Sequence, residues 1–504
     1  MRAADRDRND YRSIKAARVA VAGADREAEA ASGPAEIVLR RAQELQRTLA
    51  EDFRDQLVTA IYADAEAIAR RVVSGGNGPG WNLDRRIDRL VTSRVVGPLV
   101  MLALLSVVFW ITIAGANYPS QLLADGLFWV EARAAAAFNA WGAPWWLTGV
   151  VWHGTYRALA WVVAVMLPPM AIFFPCFTIL EDLGYLPRVA FNLDRLFKQA
   201  GAHGKQALTM CMGLGCNAAG VTACRVIDSP RERLIAILTN NFVPCNGRFP
   251  TLILLASVFV AAQFPGSLAS VAATGAIVMV VVIGVLFTLI VSAVLSRTVL
   301  KGEASAFTLE LPPYRRPNIA RVLYTSLIDR TVFVLWRAVV VAAPAGLAIW
   351  IMGNVQVHGV AISQLVADFI NPFGRAVGLD GVILFAYVLA IPANEIVVPT
   401  MLMMYLGSGA MTDDVLQGGL HTLLVEQNGW TLLTAVNLML FSLLHNPCAT
   451  TILTMWKETR SLKWTTLGTL MPLGIAFAVT FAVASAVRFA QFIQTGDAAS
   501  LRWW

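Results

Sequence analysis

The sequence predicts an all-α polytopic membrane protein: two inverted gate repeats with broken re-entrant helices, preceded by a short soluble helical segment. Three observations predict it. The chain is 57% hydrophobic and only 14% charged, whereas soluble domains carry about 25% charged residues. Its apolar runs are too long and too many for soluble cores. Two of these runs are interrupted, by Gly213-Leu214-Gly215-Cys216-Asn217 and by Ile391-Pro392-Ala393-Asn394-Glu395. Such residues suit a helix that breaks at membrane depth, where non-helical backbone is tolerated if it lines a cavity or lies within protein.

Composition also excludes function classes. The net charge of +7 needs no nucleic acid partner, because cytoplasmic loops of membrane proteins carry excess Lys and Arg. Six cysteines, mostly in or beside apolar runs, do not form a secreted disulfide framework. Residues 1–18 are charged and lack the apolar core of a signal peptide.

Residues 1–33 have few large apolar side chains and are expected to be disordered. Residues 34–94 are expected to form cytoplasmic amphipathic helices and a linker. Phe53, Leu57, Ile61 and Ile68 belong to an apolar series spaced mostly by three and four. A Gly-rich linker follows, and then a stretch with Ile87, Leu90 and Val91 on one side and Arg85, Arg86 and Arg89 elsewhere. That pattern fits a helix lying on the membrane surface with the N-terminus in the cytoplasm. The segment is either a plain cytoplasmic cap or a docking site for a partner.

Residues 95–157 supply the first transmembrane helix (95–114) and a Trp-rich external loop (118–148). Gate repeat 1 covers 158–300: a span at 158–180, a basic amphipathic stretch, the first break, a span at 234–262 through Pro244-Cys245, and a span at 270–296. Three arginines (Arg225, Arg231, Arg233) follow the first break. The positive-inside rule places them in the cytoplasm, so that segment enters and leaves on the inner side. A basic cytoplasmic loop fills 301–330. Gate repeat 2 covers 331–460: a span at 332–355, the second break, and a span at 430–456 through Pro447-Cys448. The loop at 407–429 has no Lys or Arg but holds Asp413, Asp414 and Glu426, so the second break is read as re-entrant from outside. Residues 461–504 hold the last span and the C-terminus.

A shift of 177 residues pairs Gly201 with Gly378, Gly204 with Gly381 and Asn217 with Asn394. A shift of 203 pairs Pro244-Cys245 with Pro447-Cys448. Inverted repeats with broken helices near the midplane are an architecture of secondary transporters, with the site where the repeats meet.

Cys216, Cys245 and Cys448 each sit at a break, and thiolates select soft or borderline cations such as iron, zinc and copper(I). Asn217, Asn246 and Asn394 add oxygen. Glu395 is the one charge within its apolar run and Arg248 nearly so in its own; burial at such depth is costly and marks function. Arg248 is read as capping carbonyls or meeting a carboxylate. His445 is read as bonding a nearby carbonyl, with ligation as the alternative. Glu181 and Asp182 either guard the cytoplasmic mouth or end a helix. Cys176, Cys211 and Cys224 are read as small apolar residues.

The motifs Leu180-Glu181-Asp182-Leu183-Gly184-Tyr185, Gly213-Leu214-Gly215-Cys216-Asn217, Pro244-Cys245, Glu310-Leu311-Pro312-Pro313-Tyr314-Arg315 and Pro447-Cys448-Ala449-Thr450 resemble the membrane region of ferrous iron transport protein B (FeoB). The resemblance implies Fe²⁺ as transported substrate and the bacterial inner membrane, and its gate cysteines fall on Cys216, Cys245 and Cys448; with Asn217 and Glu395 these form the expected metal path. Asn246, Arg248, Asn394, His445, Glu181 and Asp182 join it as path or gate residues. Two departures stand out. No G-x-x-x-x-G-K-[ST] phosphate loop occurs: Gly201-Ala202-His203-Gly204-Lys205-Gln206 has the wrong spacing. The family's second gate usually carries Ala-Lys-Glu, where this chain has Ala393-Asn394-Glu395. The expected partners are the lipid bilayer, a separate GTPase subunit on the cytoplasmic N-terminal helices, and a further copy of the chain in a homo-oligomer. A nucleoside-type or other small-solute transporter on the same fold is one alternative, and a membrane anchor or sensor for a GTPase is another. No catalytic constellation is visible.

Overall fold

The computed structural model describes residues 53–72, 83–93, 95–265, 267–302, 314–411 and 420–495, with Val38 and Arg41. The region expected to be disordered (1–33), the linker after Val72 and the Pro-Pro part of the cytoplasmic loop lie outside the described residues.

The chain divides into two units. In the first, α1 (Phe53–Val72) is a 20-residue helix whose described side chains are mostly exposed. The second unit holds everything from Asn82 on except a short piece of the cytoplasmic loop.

In that second unit, α2 (Leu83–Val91) is short, with Leu90 exposed and Val91 buried. Next, α3 (Val96–Ala140) runs for 45 residues, about 68 Å at 1.5 Å per residue. A bilayer core is about 30 Å thick, so the helix continues well beyond it. This corrects the sequence expectation of a loop at 118–148. The tryptophans suggested a loop, but Glu131-Ala132-Arg133 and the four alanines after it are strong helix formers, and Pro119 is accommodated within the helix.

A short helix α4 (Trp145–Thr148) leads through a π-bulged stretch, Gly149–Tyr156, into α5 (Arg157–Asp182). Gly149 and Gly154 face Trp350, and a Cβ would collide with its ring at Gly149 and with its Cβ at Gly154. The remaining elements are α6 (Tyr185–Gln199), α7 (Gln206–Gly215), α8 (Asn217–Ala223), α9 (Pro230–Thr239), α10 (Phe249–Leu255), α11 (Ser267–Arg297), α12 (Ile319–Tyr324), α13 (Phe333–Asn354), α14 (Ile362–Ala376), α15 (Gly381–Leu389), α16 (Val397–Leu406), α17 (Leu432–Leu444), α18 (Ala449–Thr459) and α19 (Leu462–Thr495). A two-residue hairpin, β1 (Gln356–Val357) with β2 (Val360–Ala361), pairs antiparallel between α13 and α14.

Seven helical stretches among the described residues are long and apolar enough to cross a membrane. They match the seven spans read from the sequence, so the protein is a multi-pass membrane protein. A bent pair, α14 and α15, turns by 114°.

The repeats superpose in sequence register. Shifting α6 by 177 residues lands on α14 at both ends. Cys216 breaks the first re-entrant segment with φ −154° and ψ 126°, and Ala393, its partner at the same shift, has φ −152° and ψ 119°. Cys245 and Cys448 are both extended residues immediately before a helical turn.

Each broken segment is a hairpin closed at its mouth. In the first, Lys205 Nζ at the start of α7 donates to Asp228 Oδ2 at 2.9 Å and to the Val226 carbonyl at 3.1 Å. In the second, Asp380 caps α15 by accepting from Ile383 N at 2.7 Å, while Tyr405 at the end of α16 donates to its other oxygen. A segment whose ends bond to each other enters and leaves by one face.

The two mouths lie at opposite ends of the span formed by α17 and α18. Arg225, just past the first hairpin, bonds Glu458 in two-pronged fashion at 2.8 and 2.9 Å. Tyr405, at the second mouth, accepts from Trp430 Nε1 at 3.1 Å. Trp430 and Glu458 flank the same span. The hairpins therefore enter from opposite sides. Arginines and lysines gather at the Glu458 end (Arg225, Arg231, Arg233, Lys457, Arg460).

Candidate functional site

The hairpin tips meet at the centre of the second unit. A cavity of about 30 Å³ there is lined by Cys216, Asn217, Cys245, Asn394, Glu395 and Cys448. That volume is about one water molecule's share of the liquid. Four breaks from both repeats thus contribute to one chamber.

The breaks are held in place across the repeat boundary. The Arg248 guanidinium donates to the carbonyls of Asn241 (2.8 Å), Leu443 (2.7 Å) and His445 (3.2 Å) and to Asn241 Oδ1 (2.9 Å). Asn241 Nδ2 donates to the His445 carbonyl at 2.6 Å. Repeat 1 therefore grips the last turn of α17 just before Pro447-Cys448. The backbone N–H of Ala449 donates to Ile391 O at 2.8 Å, which ties the second Pro-Cys element to the second break. Arg248 caps carbonyls and pairs with no carboxylate among the described residues.

Around the first tip, Asn240 Nδ2 donates to the Asn217 carbonyl at 3.1 Å. Its side chain packs against Gly213 and Gly220, where a Cβ on Gly220 would collide with it. The Asn217 amide, in the orientation that satisfies its surroundings, donates to the carbonyls of Gly213 and Val243, each at 3.2 Å. The glycines of the break let an asparagine, rather than water, satisfy freed backbone groups.

Glu395 is 7% exposed. Its carboxylate forms no ion pair and accepts no hydrogen bond from another residue among the described residues; the local contact is with its own backbone N–H. Its carbonyl accepts from Trp161 Nε1 at 3.2 Å. Gly247 lies against the carboxylate so closely that a Cβ there would collide with it. His445 Nδ1 lies 2.9 Å from the Ser442 carbonyl and Nε2 lies 3.4 Å from Asn394 Oδ1. Cys448 Sγ is 3.4 Å from Thr451 Oγ1.

Of the candidate metal residues, Cys216, Asn217, Cys245, Cys448 and Glu395 share the chamber, as does Asn394. No three His, Cys, Asp or Glu side chains among the described residues are gathered tightly enough to hold a metal ion at once. The chamber is lined with soft donors but is not a closed coordination shell. Asn246 is half-buried and outside its lining, and His445 stands behind Asn394. Glu181 and Asp182 end α5 and line neither this chamber nor the larger cavity beyond Glu395.

Sequence reasoning missed several residues. Lys205, Asp228, Asp380 and Tyr405 close the hairpin mouths. The 177-residue shift pairs only Asp228 with Tyr405, carries Lys205 onto Val382 and sets Asp380 against His203, so it gives no general signal for the mouth residues. Arg188, in the Leu180–Arg188 stretch, is buried and bonds Asp88 of α2 at 3.1 Å and the Gly184 carbonyl at 2.7 Å. Its guanidinium lies 4.2 Å from the Tyr314 ring, and Tyr314 donates to Asp88 at 2.8 Å. Burial alone would raise the Asp88 carboxyl, but the bonds from Arg188 and Tyr314 outweigh it and hold the group below its ordinary value. The Tyr314 hydroxyl is pushed up to about 12, first by burial and then by Asp88. The surface helix, the first repeat and the inter-repeat loop are thereby joined.

Against known proteins, the chain matches the family model Gate, described as nucleoside recognition, over residues 163–259 and 335–462. It matches the model of the ferrous iron transport protein B C terminus over residues 277–329. It is 29% identical over 430 residues to "Fe(2+) transporter FeoB" of Staphylococcus aureus (strain MSSA476), covering 82% of this chain and 61% of that protein. It is 25% identical over 423 residues to the protein of the same name from Synechocystis, covering 83% of this chain and 66% of that protein. A fusion protein from Porphyromonas gingivalis, "Fe(2+) transport protein A/Fe(2+) transporter FeoB", is 24% identical over 446 residues, covering 80% and 51%. The chain spans about three fifths of the length of the first of these relatives. No solved structure matches it. The chain is thus similar, through its membrane region, to proteins named as Fe(2+) transporters.

Proposed function

We propose that this chain conducts ferrous iron, or a related divalent transition metal, across the bacterial inner membrane, with its N-terminus in the cytoplasm. The relatives named as Fe(2+) transporters supply the cargo class. The single observation that supports the reading best is the chamber in which Cys216, Cys245, Cys448 and Glu395 face one another where two oppositely directed hairpins meet. Three thiols and a carboxylate suit a borderline cation better than magnesium or calcium. The proposed path runs from outside past Glu395 and Cys448, through the chamber with Cys216, Asn217 and Cys245, and out past Glu181 and Asp182.

The chamber's size argues against an organic solute at its narrowest point, since about 30 Å³ holds one water-sized body. Nucleotide control, on this reading, is absent or is supplied by a separate GTPase protein. Residues 34–94 would then be the docking surface for that GTPase, and copies of the chain associate in a homo-oligomer. Thiol ligands bind as thiolates, so uptake should rise with pH.

Iron uptake into liposomes tests the reading. The Cys216→Ser, Cys245→Ser double variant should lose at least about tenfold of the uptake, since losing even an outer-shell partner of a metal ligand costs that much. Unchanged uptake in that variant would sink the proposed path. Liposomes that accumulate no iron, while the chain tightly binds a GTPase, would favour the anchor reading instead.

A further inference from the structure

Two exposed basic segments, distant in sequence, are tied together beside the end of α5. One is α2, where Arg89 is exposed. The other is the loop between the repeats with α12 after it, where Arg315, Arg316 and Arg321 are exposed. Asp88 and Tyr314 are 226 positions apart, yet the Tyr314 hydroxyl donates to Asp88 at 2.8 Å. The buried Arg188 bonds the same carboxylate and lies 4.2 Å from the Tyr314 ring. Arg89 follows Asp88, and Arg315 and Arg316 follow Tyr314, so this fastening brings the arginines of the two segments together. The Asp88 carboxylate is occupied within the fastening, and the arginines beside it face solvent.

The depth of the cluster follows from the helix that leaves it. From Ile319, α12, a π-bulged stretch and α13 run on without a gap. Val334 in that run lines the chamber where the hairpin tips meet. Ile319 to Val334 is about 22 Å at 1.5 Å per residue. With the chamber near the middle of a bilayer about 40–45 Å thick including headgroups, Ile319 and Arg321 stand at headgroup level. Ser326 donates to Thr178 at 2.9 Å, which places this run beside the part of α5 that ends at Asp182. Exposed apolar side chains accompany the arginines: Ile87 and Leu90 on α2, Ile319 and Leu323 on α12. Basic and apolar side chains alternating at this depth are the composition of a segment that lies in the membrane interface. Guanidinium groups match phosphate geometry.

We infer that Arg89, Arg315, Arg316 and Arg321 form a binding site for the headgroup of an anionic phospholipid. The leaflet is the one at the Asp182 end of α5, the cytoplasmic one in the orientation proposed above. The headgroup bridges α2 to the loop that joins the repeats, and the flanking apolar side chains meet its acyl part. The site does not depend on which ion the chamber takes.

The purified full chain in a zwitterionic detergent is titrated with dioleoylphosphatidylglycerol and, separately, with dioleoylphosphatidylcholine, and bound lipid is counted by native mass spectrometry. The wild type should prefer the anionic lipid by at least about tenfold. Each basic side chain at a charged membrane surface contributes about fivefold, so Arg315→Gln, Arg316→Gln should weaken phosphatidylglycerol binding by about twenty-fivefold and leave phosphatidylcholine binding unchanged. Arg297→Gln, Lys301→Gln removes the same charge from exposed residues at the end of α11 and should change binding less than about twofold. Tyr314→Phe removes no charge but releases the loop from Asp88, and it should weaken binding as well. Glycerol 3-phosphate in excess should not displace the lipid. Equal binding of the two lipids overturns the site and leaves these arginines to a protein partner. Equal losses in the two double variants overturn it in favour of the diffuse basic excess of cytoplasmic loops. Full binding in Tyr314→Phe overturns the bridging of α2 to the loop, and displacement by glycerol 3-phosphate reassigns the site to a soluble phosphate.

Discussion

At the scale of single residues, the centre depends on what glycine, arginine and a carboxylate do at a break. Gly247 has no room for a side chain because the Glu395 carboxylate occupies that space. Gly247→Ala should therefore displace Glu395 and reduce iron uptake by about tenfold or more, with the double variant Gly247→Ala, Glu395→Asp recovering part of the loss. Uptake equal to wild type in Gly247→Ala would show that Glu395 does not act from this position. Arg248 bonds four acceptors with one planar guanidinium. A lysine ammonium cannot reach them in that geometry, so Arg248→Lys should cost on the order of 3 kcal/mol by leaving buried carbonyls unpaired. A thermal unfolding midpoint within error of wild type would refute this. The cysteines, prolines and glycines of the breaks were legible in sequence because each is a poor fit to a membrane helix. Two of the four Arg248 acceptors, the carbonyls of Leu443 and His445, were not, because they lie almost 200 positions away in the other repeat and no local pattern encodes them.

Among the elements, the closed hairpins explain why the broken segments were readable and their fastenings were not. Charge following Cys224 placed the first hairpin's mouth in the cytoplasm, but the Lys205–Asp228 pair joins residues whose local context is only a turn. His203 sits beside that mouth, buried, with Nδ1 accepting from the Lys205 backbone at 3.0 Å. Burial lowers its affinity for a proton below the ordinary 6.5, against an opposing pull from Glu232 and nearby aspartates and with a small push in the same direction from Lys205. The unfolded chain thus takes up a proton at a pH where the folded one does not. Stability is fully present above about 6.5 and is lost as the pH falls through that value toward the lower folded one. Between about pH 7.5 and 5.5 the wild type should lose more thermal stability than His203→Asn, which keeps an acceptor and does not titrate. Equal losses would show that His203 is not the group concerned. The misjudged element was α3: aromatic residues suggested a loop where alanine content made helix, since composition locates the apolar run but not where a helix leaves the bilayer.

For the whole molecule, the inverted relation of the repeats was legible because two shifts, 177 and 203, recur across motifs that carry function. The meeting of the tips was not legible, since it depends on how two hairpins from opposite faces pack around α5, α10 and α17. The inversion has a direct consequence for access. Asp228 lies at the first mouth and is exposed, and Ser408 lies just past the second and is exposed. The span between Trp430 and Glu458 separates the two mouths by the thickness of the bilayer core, about 30 Å. In intact cells a membrane-impermeant maleimide should therefore label Ser408→Cys and leave Asp228→Cys untouched, and permeabilisation should expose the second. The native cysteines are buried or half-buried, so each single variant can be read against the unsubstituted chain. If both positions react from the same side, the hairpins do not oppose each other. The proposed path would then lose the inside–outside order on which it rests.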